Sequence, residues 1–350
     1  ADQTTVQNVY FQGTAPDVLQ NGIVTSIAGT TNNVFTQNVY DSTYYGVYLN
    51  PNSVGNEITD SLITNTRIGY VIDTAENTTV TGNTFDNSTG IYFWDGGTAS
   101  VGDNTGVSIE NNTFQNGTGI RDSYVTVNDP GLTVDLSNNT FDGKLPSAMS
   151  LTELFDLEDK ITHAIDDAAY GSLGIVVADN LYVTQLSSSI QNGIDAATAG
   201  DTLHVQAGTF TENLTVDKTL QIIGAGSGST ILEAGNAVGI NVTAGGTSAA
   251  EADRLLISGM AINNEASMGI VIDGTVQEVL INTMLLKHPL IHCHFIRSAL
   301  CTHHSRAQSS HGISEDTPAH SNGDTARYTS AVLAILHFEQ PQFVTAVRCQ

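Results

Sequence analysis

Cysteine is absent from the first 285 residues; all three, Cys293, Cys301 and Cys349, lie in the last fifth of the chain. The fold ahead of them therefore rests on neither disulfides nor a thiolate-bound metal. Basic residues are scarce as well, 11 against 36 acids for a net charge of -25. A phosphate backbone or an anionic membrane would be repelled by most of this surface, so neither nucleic acid nor membrane is an expected partner. No run of about 18 apolar residues occurs, and nothing reads as a bilayer span. Residues 1–13, "ADQTTVQNVYFQG", lack the basic region and apolar stretch of a secretory leader. Either a leader has been cleaved or the chain is an excerpt of a longer one, and the expected location is extracellular or on the cell surface. Helical periodicity is missing from 1 to 142.

That stretch repeats itself instead. "SIENNTFQNGTGI" at 108–120 has relatives in "VTGNTFDNSTGI" at 80–91 and "VDLSNNTFDG" at 134–143. Phe11, Phe35, Ile63, Phe85, Phe114 and Phe141 each follow a polar, asparagine-containing run, at spacings of 22 to 29 residues. Glycine followed by an aliphatic or aromatic residue recurs between them, at Gly22-Ile23, Gly46-Val47, Gly69-Tyr70, Gly90-Ile91 and Gly119-Ile120. Each unit thus holds at least two short strands of period two, separated by Asn/Gly/Thr/Asp turns. One such coil cannot bury its own face, but stacked coils can, which predicts a solenoid of parallel strands. In the quoted phrase Ile109, Phe114 and Ile120 would fill the interior, and Asn111 with Asn112 would turn the corner, its amides bonding to asparagines of the next coil.

The pattern resembles right-handed parallel β-helices of the pectin-lyase-like superfold, the architecture of pectate lyases, bacteriophage tailspikes and many bacterial surface proteins. The resemblance covers about 1–142 and 189–285 and concerns fold alone. It implies an all-β solenoid in two segments joined by a helix-containing junction. The first spans 1–143. In the junction, 144–188, Leu151, Leu154, Leu157, Ile161 and Ile165 are spaced as one face of a helix, with Ser150 as N-cap and Glu153 completing a capping box. A strand follows in "GIVVADNLYVT". The second segment, 189–285, resembles the opening of many β-helix domains: a short amphipathic helix that caps the solenoid, then "AGDTLHVQAGTFTENLTV" and "IIGAG". Residues 286–350 break the coil pattern and carry eight of the ten histidines and five of the eleven basic residues. Three readings of this tail stay open: a frame-shifted or mis-assigned continuation, a disordered natural tail, or a short accessory domain.

No catalytic, cofactor-binding or metal-binding residue is assigned. His288, His292, Cys293, His294, His303 and His304 have zinc and copper ligand types, but their spacing matches no structural site. The resemblance brings enzyme motifs to look for, and they are missing: no Asn-Thr-Asp segment with paired aspartates and Gly-His-Gly, no Asp-Pro-His-Asp. The pair Asp166-Asp167 falls in the expected helix. A lyase would set Arg67 or Arg121 beside Asp60, Asp73, Asp122 or Asp135, although a solvated coil face explains these residues equally. Acidic turns could take calcium, but the nine-residue calcium repeat is absent. Sequons occur at Asn77, Asn87, Asn111, Asn116, Asn138, Asn213 and Asn241; in a chain this rich in Asn and Thr many arise by chance, Asn111 and Asn138 sit in the coil-corner phrase itself, and sequons alone do not show glycosylation.

The expected function is structural or adhesive and non-enzymatic, in a segment or subunit of a larger surface assembly or filament. Its ends expose pairing edges, so copies of the chain or neighbouring repeats are the expected partners, by end-to-end stacking. The alternative is a carbohydrate-active enzyme or carbohydrate-binding module for an acidic polysaccharide, with Tyr44, Tyr45, Tyr48, Tyr70, Tyr92, Phe93 and Trp94 lining a groove.

Overall fold

A computed structural model describes residues 3–26, 29–86, 89–95, 104–116, 123–187, 189–248, 250, 253–264, 268–273, 276–287, 290–293, 301–305, 326–327, 334–337 and 342–349, with side chains described as far as Met284. The chain divides into two units, Ala1–Ala178 and Asp179–Gln350.

The first unit is a parallel β-helix with three strands per coil. Sheet A stacks Thr5–Gln7, Val34–Thr36, Glu57–Thr59, Thr79–Thr81 and Ser108–Glu110. Sheet B stacks Tyr10–Gln12, Val39–Asp41, Leu62–Thr64, Thr84–Asp86, Thr113–Gln115 and Thr140–Phe141. Sheet C stacks Ile23–Val24, Tyr45–Leu49, Ile68–Asp73, Thr89–Trp94, Val125–Asn128 and Ile161–Thr162. Every pairing within these sheets is parallel, and the middle residue of each short strand points inward.

The register refines two expected columns. Phe11 pairs with Tyr40, then come Ile63, Phe85, Phe114 and Phe141. Phe35 instead stacks between Val6 and Ile58 in sheet A, so Tyr40 takes the place expected for it. Phe11 stacks on Tyr40 at 5.1 Å, Phe85 on Phe114 at 4.7 Å and Phe114 on Phe141 at 5.1 Å, all within 11° of parallel. Ile91 is followed by Val125, which is fully buried. Val125 fills that rung; Gly119 and Ile120, expected in sequence to contribute to it, lie outside the described residues. Where these rings pack, sheet C must have glycine. A Cβ on Gly69 would stand 2.7 Å from the Gly90 carbonyl oxygen and 2.7 Å from the Phe85 ring, and Gly46 and Gly90 are equally confined.

The A-to-B corner is two residues with separate tasks. The first takes left-handed backbone: Gln37, Asp60, Gly82 and Asn111 have φ between 51° and 69°. The second turns its side chain inward and joins a ladder. The Asn38 amide donates to Ser61 Oγ, Ser61 to Asn83 Oδ1, Asn83 to Asn112 Oδ1 and Asn112 to Asn139 Oδ1, all at 3.0–3.1 Å. Asn111 and Asn112 thus share the corner but not the work. The sequon residues Asn77, Asn111 and Asn116 are likewise left-handed turn residues, while Asn87 lies outside the described set.

Helix α1, Leu151–Glu158, has the expected capping box: Ser150 Oγ accepts from the Glu153 amide and the Glu153 carboxylate accepts from the Ser150 amide. It is shorter than its apolar spacing predicts. Ile161 leaves the helix to pair with Val125 as the next rung of sheet C, where it is 1% exposed. Extending an existing sheet outweighs one more helical turn, and it moves Asp166 and Asp167 into turns. The Asp166 carboxylate accepts from the His163 amide and that of Asp167 from Ala169. The strand expected at 174–184 is two strands, Leu173–Ile175 and Asn180–Val183, and the second belongs to the other unit.

The second unit opens ahead of the expected position 189, because Asn180–Val183 pairs in parallel with Thr202–Val205. Helix α2, Ile190–Ala196, follows, its N-cap Ser189 accepting from Asn192. The Glu212 carboxylate receives the Ile190 and Gln191 amides at 2.6 and 3.0 Å, where the helix dipole favours an anion. Ile190 and Ile194 are buried, and Gly193 lets α2 approach Val183 and Leu203, where a Cβ would clash at 2.7–2.8 Å. Parallel ladders then run through Gln221–Gly224, Leu255–Ser258 and Val279–Lys287, and through Leu214–Val216, Ile240–Val242, Ile270–Ile272 and Leu290–Cys293. In the tail the pairing becomes antiparallel: Leu290–Cys293 meets Ala334–His337, and Val279–Lys287 meets Gln342–Cys349.

Candidate saccharide-binding face

Alternation along sheet C sends Val47, Leu49, Tyr70, Ile72, Ile91 and Phe93 into the core, each 0% exposed. Their neighbours lie on the other side of the sheet, where Val24 and Trp94 are exposed but Val71, Asp73 and Thr126 are covered, at 2%, 5% and 7% exposed. In register, one outer column runs Val24, Tyr48, Val71, Tyr92, Thr126, and the next contains Asp73, Trp94 and Asn128. Tyr44 and Tyr45 lie beside the first, with ring centroids 4.6 Å apart, and Tyr45 is 5.3 Å from Tyr48.

Five of the seven aromatics grouped in sequence are thus brought to one outer face, and two are not. Phe93 is core. Tyr70 packs edge-on to Phe85 at 5.0 Å and donates its hydroxyl to Asn83 Oδ1 at 3.0 Å, which makes it part of the interior ladder. Of the remaining rings, Tyr44, Tyr48 and Tyr92 are held by polar contacts at their hydroxyls. Tyr48 donates to Asp73 Oδ2 at 2.8 Å. Burial and that carboxylate push the Tyr48 phenol up, so it stays a proton donor at any physiological pH. Asn128 Nδ2 donates to Tyr92 Oη at 3.2 Å, and Trp94 meets Tyr92 edge-on at 6.5 Å. Trp94 is 41% exposed and is the only tryptophan of the chain, so its emission reports on this face.

Arg67 immediately precedes the strand Ile68–Asp73, 4.6 Å over the Tyr44 ring, with Nη1 donating to Tyr44 Oη at 2.8 Å. Asp73 ends that strand, about 20 Å away at about 3.3 Å per residue. Asp60 is a corner residue, and Asp135 accepts from the Ser137 amide beyond sheet C. The structure therefore does not gather Arg67 with Asp60, Asp73 and Asp135 into a lyase-like centre; Arg121 and Asp122 lie outside the described residues. Among the described residues no group of three or more His, Cys, Asp or Glu could hold a metal. The side chains of His288, His292, Cys293, His294, His303 and His304 fall outside that description.

A buried pair went unread in the sequence. His163 Nε2 lies 2.6 Å from Glu158 Oε1, both side chains under 4% exposed, and the Gly174 amide donates to His163 Nδ1 at 3.1 Å. That bond leaves the imidazole proton on Nε2, directed at Glu158. Burial raises Glu158 above the ordinary carboxylate range. Nothing flagged it beforehand, because the two residues meet only where the helix gives way to a strand.

Residues 4–151, less than half of the chain, match a family described as periplasmic copper-binding protein (NosD). The fold, stacked parallel strands in successive coils, is a parallel β-helix. Among solved structures the chain is similar to a mutant of the PL6 family alginate lyase AlyGC, at 14% identity and a TM-score of 0.26. That alignment covers 80% of this chain and 53% of the lyase, so the chain spans about half of the lyase's length. No curated protein matches. Copper does not fit the matched residues: 4–151 contain no histidine, no cysteine and one methionine, Met149, whereas copper sites are built from those ligands.

Proposed function

We propose that this protein is a non-enzymatic β-helix of structural or adhesive type, acting outside the cytoplasm, whose first unit holds saccharide on the outer face of sheet C. The observation that carries the reading is the set of rings Tyr44, Tyr45, Tyr48, Tyr92 and Trp94 on one side of sheet C, of which Tyr48, Tyr44 and Tyr92 are fixed at their hydroxyls by Asp73, Arg67 and Asn128. Flat rings with hydrogen-bonding groups beside them suit a sugar, which has apolar C–H faces and a polar edge. The periplasmic description of the family matched by residues 4–151 supports the location. Self-association by end-to-end stacking is a separate proposal, tested by electron microscopy of the purified chain.

The experiment is retardation in gels containing embedded polysaccharides, for the native chain and for Trp94→Ala. Retardation that Trp94→Ala abolishes supports the reading. Free migration through every polysaccharide, or retardation equal in both proteins, refutes it. Product release from any of these polymers, with or without calcium, would overturn the non-enzymatic part.

A further inference from the structure

We infer that Cys301 and Cys349 form a disulfide that fastens the strand covering the last coil of the second unit. The register of the tail carries the inference, and the separate ladder of the third cysteine supports it. Only the oxidising surroundings rest on the function proposed above.

The parallel stack of the second unit ends at Val279–Lys287, which pairs with Leu255–Ser258 along its first half and with Ala261–Asn264 along its second. The edge those two strands leave open is taken by Gln342–Cys349, running antiparallel, with Leu286 facing Gln342 at one end and Val279 facing Cys349 at the other. An antiparallel strand there occupies the hydrogen-bonding groups that a further parallel coil would need, so it terminates the stack.

Cys301–Ser305 lies along the other side of Gln342–Cys349. The register sets Cys301 directly opposite Cys349, Thr302 opposite Arg348 and His303 opposite Val347. Residues facing each other across an antiparallel pair share a face of the sheet, with Cα atoms about 4.5 or 5.5 Å apart. A disulfide spans about 4.4–6.8 Å between Cα atoms, so this pair meets the requirement without moving the backbone. The irregularity of the ladder falls beyond it, between His304 and Ser305. Cys293 belongs to a different ladder, where it faces Ala334 on one side and Ile272 on the other. Neither neighbour offers a thiol. Of the pairings that Cys293, Cys301 and Cys349 allow, the register selects one.

Closing the bond removes two protons and two electrons from the two thiols, and a small disulfide such as oxidised glutathione accepts them. One cysteine thiolate attacks it and releases a first glutathione; the other cysteine then attacks the mixed disulfide and releases the second. Outside the cytoplasm, where the proposed function places the protein, a bond of this kind persists. It ties Cys301–Ser305 to the strand that ends the stack, and the last edge stays covered.

The test is oxidation of the full native chain with oxidised glutathione, followed by thiol counting in denaturant, alkylation and a peptide map without reduction. Cleavage after lysine and arginine puts Cys293, Cys301 and Cys349 on separate peptides, 288–297, 298–306 and 349–350. The expected result is one free thiol out of three, with 298–306 joined to 349–350 and 288–297 alkylated. Cys293→Ser should keep that link and leave no free thiol, whereas oxidation in concentrated urea should scatter the cysteines over every pairing. Three free thiols in the oxidised native chain overturn the inference. So does a link to 288–297 as abundant as the expected one, or a native map identical to the urea map. None of these results bears on retardation in polysaccharide gels, so this inference and the saccharide-binding face fail separately.

Discussion

Replacing Asn112 by alanine, and separately its neighbour Asn111 by glycine, distinguishes the two tasks of a coil corner. The Asn112 side chain makes five hydrogen bonds: it donates to the Val80, Glu110 and Asn139 oxygens and accepts from the backbone and side-chain nitrogens of Asn83. Alanine leaves the Asn83 amide without that acceptor inside a core where Asn83 is 1% exposed. One orphaned donor costs about 1–3 kcal/mol, and the carbonyls that lose a donor add about 1 kcal/mol each. The sum, about 3–5 kcal/mol, is a large part of the 5–15 kcal/mol that typically holds a domain together. Asn111 is exposed with φ 57°, its own amide donating to the Asn138 carbonyl, a bond that glycine keeps. Glycine adopts this conformation freely, so Asn111→Gly should stay within about 0.5 kcal/mol. Urea unfolding followed by Trp94 emission reads the first unit directly. With a slope of about 1–3 kcal/mol per molar, Asn112→Ala should lower the midpoint by about 1 M or more, and Asn111→Gly should scarcely move it. Equal shifts, or a larger one for Asn111→Gly, would refute the ladder argument.

The glycine column yields a second prediction: Gly69→Ala drives a methyl against the Gly90 carbonyl and the Phe85 ring, and overpacking of this kind costs about 1–3 kcal/mol, readable as a lower urea midpoint; an unchanged midpoint would mean that the coils can spread. The buried pair yields a third. Folded Glu158 holds its proton to higher pH than the unfolded chain, where the carboxyl titrates near 4.5. The native state therefore binds more protons, and the contribution, complete below the unfolded value, is lost as pH rises through the folded one. Glu158→Gln keeps an acceptor for His163 Nε2–H without the charge. It should flatten the decline in stability on the alkaline side of pH 4.5, as read from urea midpoints at a series of pH values, and a slope identical to that of the native chain would remove Glu158 as its source.

How far the sequence carries is decided by whether a residue's partner lies at a fixed distance along the chain. The repeat phrase was legible because each coil sees the next at an interval of 22 to 29 residues, which is why stacked parallel strands and the inward Phe85, Phe114 and Phe141 could be read directly; the start of α1 was legible from its capping box, whereas α2 was implied only by the resemblance. Phe35 and Tyr40 could not be told apart, since both follow an asparagine and only the register of sheets A and B separates them. The same limit shortened α1: Ile161 fits a helical face, and what removes it is Val125, 36 residues away. For the candidate site the limit is sharper. Tyr70, Tyr92 and Phe93 sit in similar local sequence, but a strand sends alternate residues to opposite faces, so a displacement of one residue converts a core ring into a binding platform. Aromatic content announces a possible site, whereas membership of the outer column decides it. On this argument, exchanging Tyr92 and Phe93 in the sequence would keep the composition and remove both the platform and a core side chain, and the protein should lose saccharide binding only together with stability; Tyr92→Ala, by contrast, should lose binding and keep its fold.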